Sequence, residues 1–251
     1  MRPQRVLLDR RRALSYIAAC ACLAGCRSRP APLVPEPLAP ADRDSAVAWA
    51  RATLPAHHTA IRFRWKYEDD QKRWGGRGQA RIAPPDSLRF DYVGPLGLGA
   101  GAAVVVADSA IWADPEKNFR SLVPAVRMLW AGLGIVRPPA PNAAVFSRSG
   151  GGAGGAGGAG GGADSSVRIW RFVQGEDTLD YRAAVRDTRV LEAEWRRRGK
   201  VQARSRTEFD LHLMPARARI DFPEGAARFE LTVVAVDTAA VLDPAIWRGR
   251  R

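Results

Sequence analysis

Cysteine and histidine are scarce in this sequence, and their scarcity excludes several kinds of chemistry. There are three of each among 251 residues. All three cysteines lie within the first 26 residues, so the rest of the chain can form neither a disulfide nor a cysteine-based zinc site. The histidines lack H-E-x-x-H and H-x-x-E-H spacing, and no Gly-x-Ser-x-Gly motif occurs. We therefore predict no metal, no cofactor and no catalytic residue, and expect a protein that is not an enzyme.

Long hydrophobic runs are also missing. The uncharged run from Ala13 to Gly25 follows five arginines, in the order typical of a secretory signal, and is too short to span a bilayer as a helix. It ends in Leu23-Ala24-Gly25-Cys26, which resembles a bacterial lipobox. The resemblance implies cleavage before Cys26 and attachment of fatty-acyl chains such as palmitate to Cys26 as a lipid anchor. An ordinary signal peptide that happens to contain cysteines is the alternative.

The chain after the predicted cleavage site divides into a tether and one domain. Five prolines between Arg27 and Pro40 favour an extended tether, residues 26–41, and residues 42–251 are long enough for a single domain with its own core. The formal net charge is +13, and removal of residues 1–25 takes away five Arg and one Asp and leaves +9. On an exported chain, such charge faces anionic lipid or solvent rather than nucleic acid.

Alternating apolar residues predict that most of the domain is β-sheet. Ile61, Phe63, Trp65 and Tyr67 alternate with basic residues, which is the pattern of a half-buried strand. Seven further alternating stretches follow, at residues 80–82, 88–92, 179–185, 191–195, 201–209, 218–222 and 229–235. Turn signals separate them, Gly75-Gly76 and Gly94-Pro95 among others. The spacing predicts an antiparallel meander with one apolar and one charged face, and a sheet of so many strands is expected to curl.

Two segments break the strand pattern. Residues 42–54 predict a short helix capped by Asp42 or Asp44, and residues 118–139 predict a second helix with Pro124 in its first turn. The second helix is either a fixed core helix or a movable lid. Residues 149–163 are nearly pure glycine and alanine, which predicts a flexible loop between strands. Neither Gly-Lys-Ser/Thr nor a Gly-x-Gly-x-x-Gly followed by a helix occurs there, so we expect no nucleotide site.

Two short motifs resemble the family of LolA/LolB-like lipoprotein carriers and receptors, and LolB in layout most of all. Gly94-Pro95-Leu96-Gly97 is similar to the family's Asn-Pro-Leu-Gly turn, and the run from Ser121 to Leu133 is similar to its Leu-rich helix, which ends near Trp-x-x-Gly-Leu-Pro. The resemblance implies a mainly β (α+β) fold. It consists of a strongly curved antiparallel sheet that forms an incomplete barrel, with one or more helices over its apolar open side.

The same resemblance implies a function in lipid or lipoprotein binding. Acyl chains of a lipoprotein, delivered by a periplasmic carrier protein, would occupy the apolar interior. Leu96 and Leu98 would form a protruding, membrane-facing loop. Arg27 rather than Asp after the anchor implies the periplasmic side of the outer membrane. The residues expected at the acyl cavity and its lid are Phe63, Trp65, Phe90, Tyr92, Leu122, Val126, Leu129, Trp130 and Leu133.

An adaptor protein of the cell envelope is the alternative hypothesis. In this case the same apolar residues would pack a dry core, and a basic outer face would bind an acidic partner. That face would consist of Arg62, Arg64, Arg196, Arg197 and Arg198. Under either hypothesis we expect a monomer, and a large unfilled apolar cavity would distinguish the two.

Overall fold

Antiparallel β-structure dominates the part of the chain described by the computed structural model, residues 32–34, 37–97, 99–149, 167–184 and 189–248. These residues form thirteen strands. They are β1 (Ala39–Pro40), β2 (Thr59–Glu68), β3 (Arg73–Ala83), β4 (Ser87–Val93), β5 (Gly101–Val106), β6 (Ser109–Asp114), β7 (Ala144–Ser149), β8 (Val167–Gln174), β9 (Asp177–Ala184), β10 (Val190–Arg197), β11 (Lys200–Phe209), β12 (Pro215–Phe222) and β13 (Ala227–Asp237). The predicted anchor Cys26, the loop residue Leu98 and most of the glycine-rich loop lie outside the described residues.

All these strands belong to one sheet, in the order β1-β7-β8-β9-β10-β11-β12-β13-β2-β3-β4-β5-β6. Most neighbours are consecutive in sequence, as the meander pattern predicts. The sheet has two consecutive runs, β7 to β13 and β2 to β6. The pairing of β13 with β2 joins these two halves, and there Leu231 lies opposite Trp65 and Phe229 opposite Tyr67. β1 and β6 are the two end strands, and no pairing between them closes the sheet within the described residues.

The sheet is curved around a single core. A flat sheet of this many strands would be about 60 Å wide, since neighbouring strands are about 4.8 Å apart. Buried side chains from both halves nevertheless form one hydrophobic cluster, which includes Phe63, Phe90, Tyr181 and Ile220. This curved, unclosed antiparallel sheet with few helices confirms the predicted fold class.

β2 has the burial pattern that its sequence predicts. Phe63 and Trp65 are buried, and the intervening Arg62 and Arg64 are exposed. The alternation follows from the pleat, which directs successive side chains to opposite faces of the sheet. The concave face of the sheet is therefore apolar and the convex face is charged.

The predicted turn at Gly75-Gly76 is wrong, because both glycines lie inside β3. The chain turns earlier, where Asp69 accepts hydrogen bonds from the backbone N–H groups of Gln71 and Lys72. A Cβ atom at Gly76 would lie 2.0 Å from the Val93 carbonyl oxygen and 3.0 Å from the Trp65 ring. Gly76 is thus required by the close approach of its neighbours rather than by a turn.

Helix α1 (Arg43–Ala52) confirms the first predicted helix. The Asp42 side chain accepts a hydrogen bond from the Ser45 backbone N–H at 2.8 Å and caps the helix. This bond satisfies one of the amide groups that lack a partner inside the helix. Ala46 and Ala50 are fully buried against the sheet.

The second predicted helix is two short helices, α2 (Glu116–Leu122) and α3 (Val126–Gly132). Pro124 lies between them rather than in a first turn. Proline disfavours helical geometry for the residue before it, and Val123 has φ −131° and ψ 72°. The break gives the two helices different surroundings: α2 contacts β5 and β6, whereas α3 lies across β10, β11 and β12.

Both ends of the sheet contain a strand that alternation did not predict. β6 has no regular burial pattern, so periodicity cannot reveal it. β1 lies in the expected proline-rich tether, where Ala39 pairs with Ser147. Val34 is also fully buried. The last part of the expected tether therefore contacts the sheet.

Candidate functional site

An apolar cavity of about 350 Å³ opens beside the ends of strands β2 and β4. Its volume is at the lower end of the range of small-molecule sites, about 300–1,000 Å³. Strands β2, β3 and β4 form one wall, the loop after β4 forms the rim, and helix α2 forms the other wall. The lining residues are Trp65, Tyr67, Trp74, Tyr92, Gly94, Pro95, Leu96, Gly99, Asn118 and Leu122.

Aromatic rings on three adjacent strands form the strand wall of the cavity. Trp65 lies on β2, Trp74 on β3 and Tyr92 on β4, and each occupies an inward position of its strand. The Trp65 and Tyr92 rings meet edge to face with their centroids 6.2 Å apart. The indole N–H of Trp65 donates to the Arg77 carbonyl oxygen at 3.2 Å, so the polar atom of this ring is already satisfied by the wall.

The Tyr92 hydroxyl is a buried polar group behind the strand wall, next to Gly101 of β5. Tyr92 is 4% exposed, and its hydroxyl has no hydrogen-bond partner among the described residues. A Cβ atom at Gly101 would lie 2.4 Å from this oxygen, so glycine there makes room for the phenol. Burial, with the negative charge of Asp114, raises the pKa of Tyr92 to about 12. The hydroxyl is therefore protonated at neutral pH and able to donate a hydrogen bond.

The rim of the cavity is unusually apolar for an exposed loop. Leu96 is 99% exposed and has φ 54°, a left-handed conformation that leucine rarely adopts. Trp74 is 52% exposed, and the Lys72 ammonium lies 5.4 Å from the centroid of its ring. An apolar ligand at the rim would thus meet leucine and tryptophan first, with a cation beside them.

Helix α2, rather than α3, covers the cavity. Asn118 and Leu122 of α2 line it, while Phe119 is 1% exposed and holds the helix to the core through the Phe90 ring. The N-cap residue of α2, Pro115, makes no side-chain capping hydrogen bond. The helix is seven residues long, so packing rather than its own hydrogen bonds keeps it in place.

The structure divides the residues expected at the acyl site among three places. Trp65, Tyr92 and Leu122 line the cavity, together with Leu96, which was expected at the membrane-facing loop. Phe63, Phe90, Leu129 and Trp130 are at most 2% exposed in the packed core, and Val126 packs against it. Leu133 lies at a second, less apolar cavity of about 490 Å³ between α1 and the β11–β12 hairpin.

Sequence reasoning did not assign Tyr67, Trp74 or Asn118 to the site, nor the loop residues Gly94, Pro95 and Gly99. Tyr67 was recognised as an inward strand residue but not as part of a site. Trp74 precedes the two glycines that suggested a turn, which concealed its place in a strand. The period-two series of Trp74, Gly76, Gly78, Ala80 and Ile82 is the signal that could have revealed it.

The described residues also lack a metal-binding site. No group of three or more histidine, cysteine, aspartate or glutamate side chains within them could hold a metal ion. None of the helices described is long and apolar enough to cross a membrane.

Comparison with known proteins gives likenesses of structure only. No protein-family model matches the sequence, and no curated protein does. The chain is similar to several proteins of known structure. One is a LolA superfamily protein from Nitrosomonas europaea, with 12% identity, a TM-score of 0.49, and coverage of 83% of this chain and 98% of that chain.

Two further solved structures are more distant. A putative outer membrane lipoprotein-sorting protein domain from Vibrio parahaemolyticus has 7% identity and a TM-score of 0.48, and covers 81% of this chain and 94% of its own. A DUF1329 family protein from Desulfovibrio piger has 7% identity and a TM-score of 0.36, and covers 81% of this chain and 95% of its own. At these TM-scores the likenesses carry no argument about function.

Proposed function

We propose that this protein is a lipid-anchored binding protein of the bacterial envelope whose cavity takes up an acyl chain of a lipid or lipoprotein. The observation that carries the proposal is the apolar cavity itself, walled by Trp65, Trp74, Tyr92 and Leu122. Burial of hydrocarbon against such a wall is favourable by about 25 cal/mol per Å². No chemical step is needed, so the proposed activity is binding and release, not catalysis.

The polar groups of the cavity favour an acyl chain in ester or amide linkage. A buried hydroxyl without a partner is costly, and a ligand carbonyl that reaches it after a small displacement of the wall would accept its hydrogen bond. Asp114 lies close enough to influence Tyr92 electrostatically, and its negative charge disfavours a free carboxylate at the same place. A neutral ester or amide carbonyl meets both conditions.

The exposed rim supports transfer between the cavity and a membrane. Leu96 lies at the mouth and is almost completely exposed, so it can enter the apolar part of a bilayer while the cavity opening faces the lipid. Anchoring through Cys26, location at the periplasmic side of the outer membrane, and delivery by a periplasmic carrier belong to the same proposal. So does a contribution of Leu98 to the loop.

The test is binding of a fluorescent phospholipid with an ester-linked acyl chain to the wild type and to Trp74→Ala. Trp74 lines the cavity and is half exposed, so its truncation removes ligand contact with little loss of core packing. We expect a roughly tenfold weaker Kd, which corresponds to about 1.4 kcal/mol. Leu211→Ala is the matched control, because Leu211 is 78% exposed and does not line the cavity.

Equal affinity for the wild type, Trp74→Ala and Leu211→Ala would place the acyl site elsewhere. Absence of binding by the wild type at micromolar probe would reject the acyl-binding function altogether. Mass spectrometry of lipid that copurifies with the protein provides an independent measurement of the ligand class.

A further inference from the structure

Five basic side chains on the convex face of the sheet have no ion-pair partner within the described part of the chain. They are exposed and lie on β2, on its neighbour β3, and on β12, which is separated from β2 by β13. We call them the outer patch: Arg62, Arg64, Lys66, Arg77 and Arg217. Their positions differ from those of the apolar cavity, which lies on the concave face.

Strand register brings the outer patch together from distant parts of the sequence. Arg217 lies opposite Thr232, Thr232 opposite Arg64, and Arg64 opposite Arg77. This row crosses four strands and is about 14 Å long. Arg62 and Lys66 lie on either side of Arg64, each about 7 Å along the same strand. The charges therefore form a two-dimensional array rather than a line.

This arrangement is unfavourable for the isolated sheet. Arg64 and Arg77 are directly opposite, and like charges in this position destabilise a sheet. The nearby Asp91 is engaged by Arg81 at 2.5 Å and Arg89 at 2.9 Å. Glu230, opposite Lys66, lies 4.0 Å from Arg228.

Several arginines elsewhere on the sheet are neutralised by neighbours. Arg171 pairs with Asp180 at 2.7 Å, and Arg197 pairs with Asp177 at 3.0 Å. Arg196 pairs with Asp180 and Arg198 with Glu176. The basic face expected from the sequence thus separates into paired arginines on and after β10 and unpaired ones around β2. Of the five arginines expected at that face, Arg62 and Arg64 are the ones without an ion-pair partner among the described residues, and they present free positive charge to a partner.

We propose that the outer patch docks the domain on an anionic phospholipid surface. A plane of phosphate headgroups matches an array of cations that extends in two directions. A shallow groove of about 410 Å³ among these cations is also lined by Val93 and Val234, and Val234 is 60% exposed. The outer patch contains no exposed aromatic ring of the kind on which nucleic-acid bases stack. Val93 precedes Leu96 by three residues, so the patch and the cavity rim are neighbours.

The test uses residues 33–251, which contain the compact unit and lack Cys26, so that any vesicle binding is independent of an anchor. Circular dichroism and a thermal melt first establish that this fragment folds. We expect it to sediment with phosphatidylcholine vesicles only when they contain phosphatidylglycerol, and to be released by salt. Arg64→Gln/Arg77→Gln/Arg217→Gln should weaken binding by roughly 100-fold, about fivefold per cation.

The matched control is Arg182→Gln/Arg197→Gln/Arg198→Gln, which removes the same charge from paired arginines on and after β9 and β10. We expect less than about a threefold loss for this variant. An equal loss in both triple variants would show that net charge alone governs binding and would overturn the outer patch. Binding to polyglutamate without binding to anionic vesicles would assign the face to an acidic protein instead.

The experiment separates this proposal from the acyl-binding function. Binding of the acyl probe in detergent-free solution depends on the cavity and should be the same in the wild type and both triple variants. Loss of vesicle binding with retained probe binding supports the outer patch. Absence of vesicle binding in a wild type that still binds the probe rejects the outer patch and leaves the cavity function intact.

Discussion

At the residue scale, Tyr92 combines an apolar environment with a hydroxyl that no described group satisfies. Tyr67, which lines the same cavity, has a hydroxyl that hydrogen-bonds to Asp69. The two tyrosines differ in whether the phenolic hydroxyl has a hydrogen-bond partner: that of Tyr67 has one, and that of Tyr92 has none among the described residues. The Tyr92 hydroxyl is the one that could donate a hydrogen bond to a ligand. Tyr92 is therefore the residue at which ligand specificity can be tested directly.

Replacing Tyr92 by phenylalanine should affect binding and stability in opposite directions. Tyr92→Phe removes an unsatisfied buried hydroxyl, so the free energy of unfolding should be unchanged or higher by up to about 1 kcal/mol. Affinity for an ester-linked acyl probe should fall about two- to tenfold. Tyr67→Phe is the control, and it should lower stability slightly with little effect on affinity. Equal probe affinity in wild type and Tyr92→Phe, measured by fluorescence titration, would contradict a carbonyl at this position.

The raised pKa of Tyr92 also predicts sensitivity to alkali. Its pKa is about 12 in the fold and 10.0 ordinarily, so the unfolded chain loses this proton first. The stabilising contribution is present below pH 10 and is lost as the pH rises towards 12. Tyr92→Phe should reduce the alkaline decrease in Tm over this range, as a series of thermal melts can measure.

Leu96 has an unfavourable left-handed backbone conformation, and its apolar side chain is almost fully exposed to solvent. Leu213, in the turn between β11 and β12, has the same combination, with φ 60° and 67% exposure. Asparagine tolerates the left-handed region, so Leu96→Asn and Leu213→Asn should each stabilise the fold by about 0.5–1 kcal/mol. Only Leu96→Asn should slow transfer of an acyl probe from the protein to vesicles. Similar transfer rates in both variants would exclude a membrane-facing function of Leu96.

At the element scale, helix α3 is tied to the sheet at several points. The Trp130 indole N–H donates to the Ala107 carbonyl oxygen at 2.7 Å, and the Thr207 hydroxyl donates to the Ala131 carbonyl oxygen at 2.7 Å. The Arg127 guanidinium lies 4.8 Å from the Trp195 ring centroid and 3.4 Å from Asp177. Such contacts suit a fixed core helix, and they leave α2 as the helix whose displacement would open the cavity.

Truncation of Trp130 should therefore act on stability alone. Trp130 is fully buried, and Trp130→Ala should lower the free energy of unfolding by about 3–5 kcal/mol. The fraction that remains folded should bind the acyl probe within about twofold of the wild type, since the ring does not line the cavity. Denaturant unfolding and probe titration at low temperature measure the two effects separately. A loss of affinity that exceeds the loss of folded protein would restore α3 as part of the ligand site.

At the scale of the whole molecule, ion pairs make the fold dependent on pH. Asp177, where β9 begins, contacts Arg197, Trp195 and Arg127. Burial by itself would raise the pKa of Asp177, but these hydrogen bonds and positive charges hold the pKa below its usual value. A hydrogen bond from Arg73 likewise lowers the pKa of Glu68. The charged carboxylates are thus favoured by folding.

Acid should consequently destabilise the protein. A carboxyl group whose pKa is lowered in the fold stabilises it above its ordinary pKa, near 3.8 for aspartate, and this contribution is lost as the pH falls below that value. We expect Tm to decrease below about pH 4. Asp177→Asn should cost about 1–2 kcal/mol at pH 7 and flatten part of the acid decrease. Thermal melts of both proteins between neutral and acidic pH provide the check, and parallel curves would show that Asp177 is not a main contributor.

Local sequence patterns were enough to predict which side of each main strand is buried and where α1 begins. These features follow from local rules: the pleat alternates side chains along one strand, and Asp42 caps the helix that directly follows it. The sheet architecture was predictable for the same reason, because consecutive strands with short turns pair with each other. The proposed anchor at Cys26 also rests on adjacent residues alone.

Packing in the folded sheet, by contrast, selects the inward residues that reach a cavity and the arginines that lack partners. Phe63 and Trp65 have the same alternation on β2, yet curvature of the sheet places Phe63 in the packed core and Trp65 at the opening. Arg64 and Arg197 are equally basic in sequence, but register places Arg64 opposite Arg77 and Arg197 beside Asp177. Both outcomes depend on contacts between segments far apart in the chain, and no local pattern records such contacts.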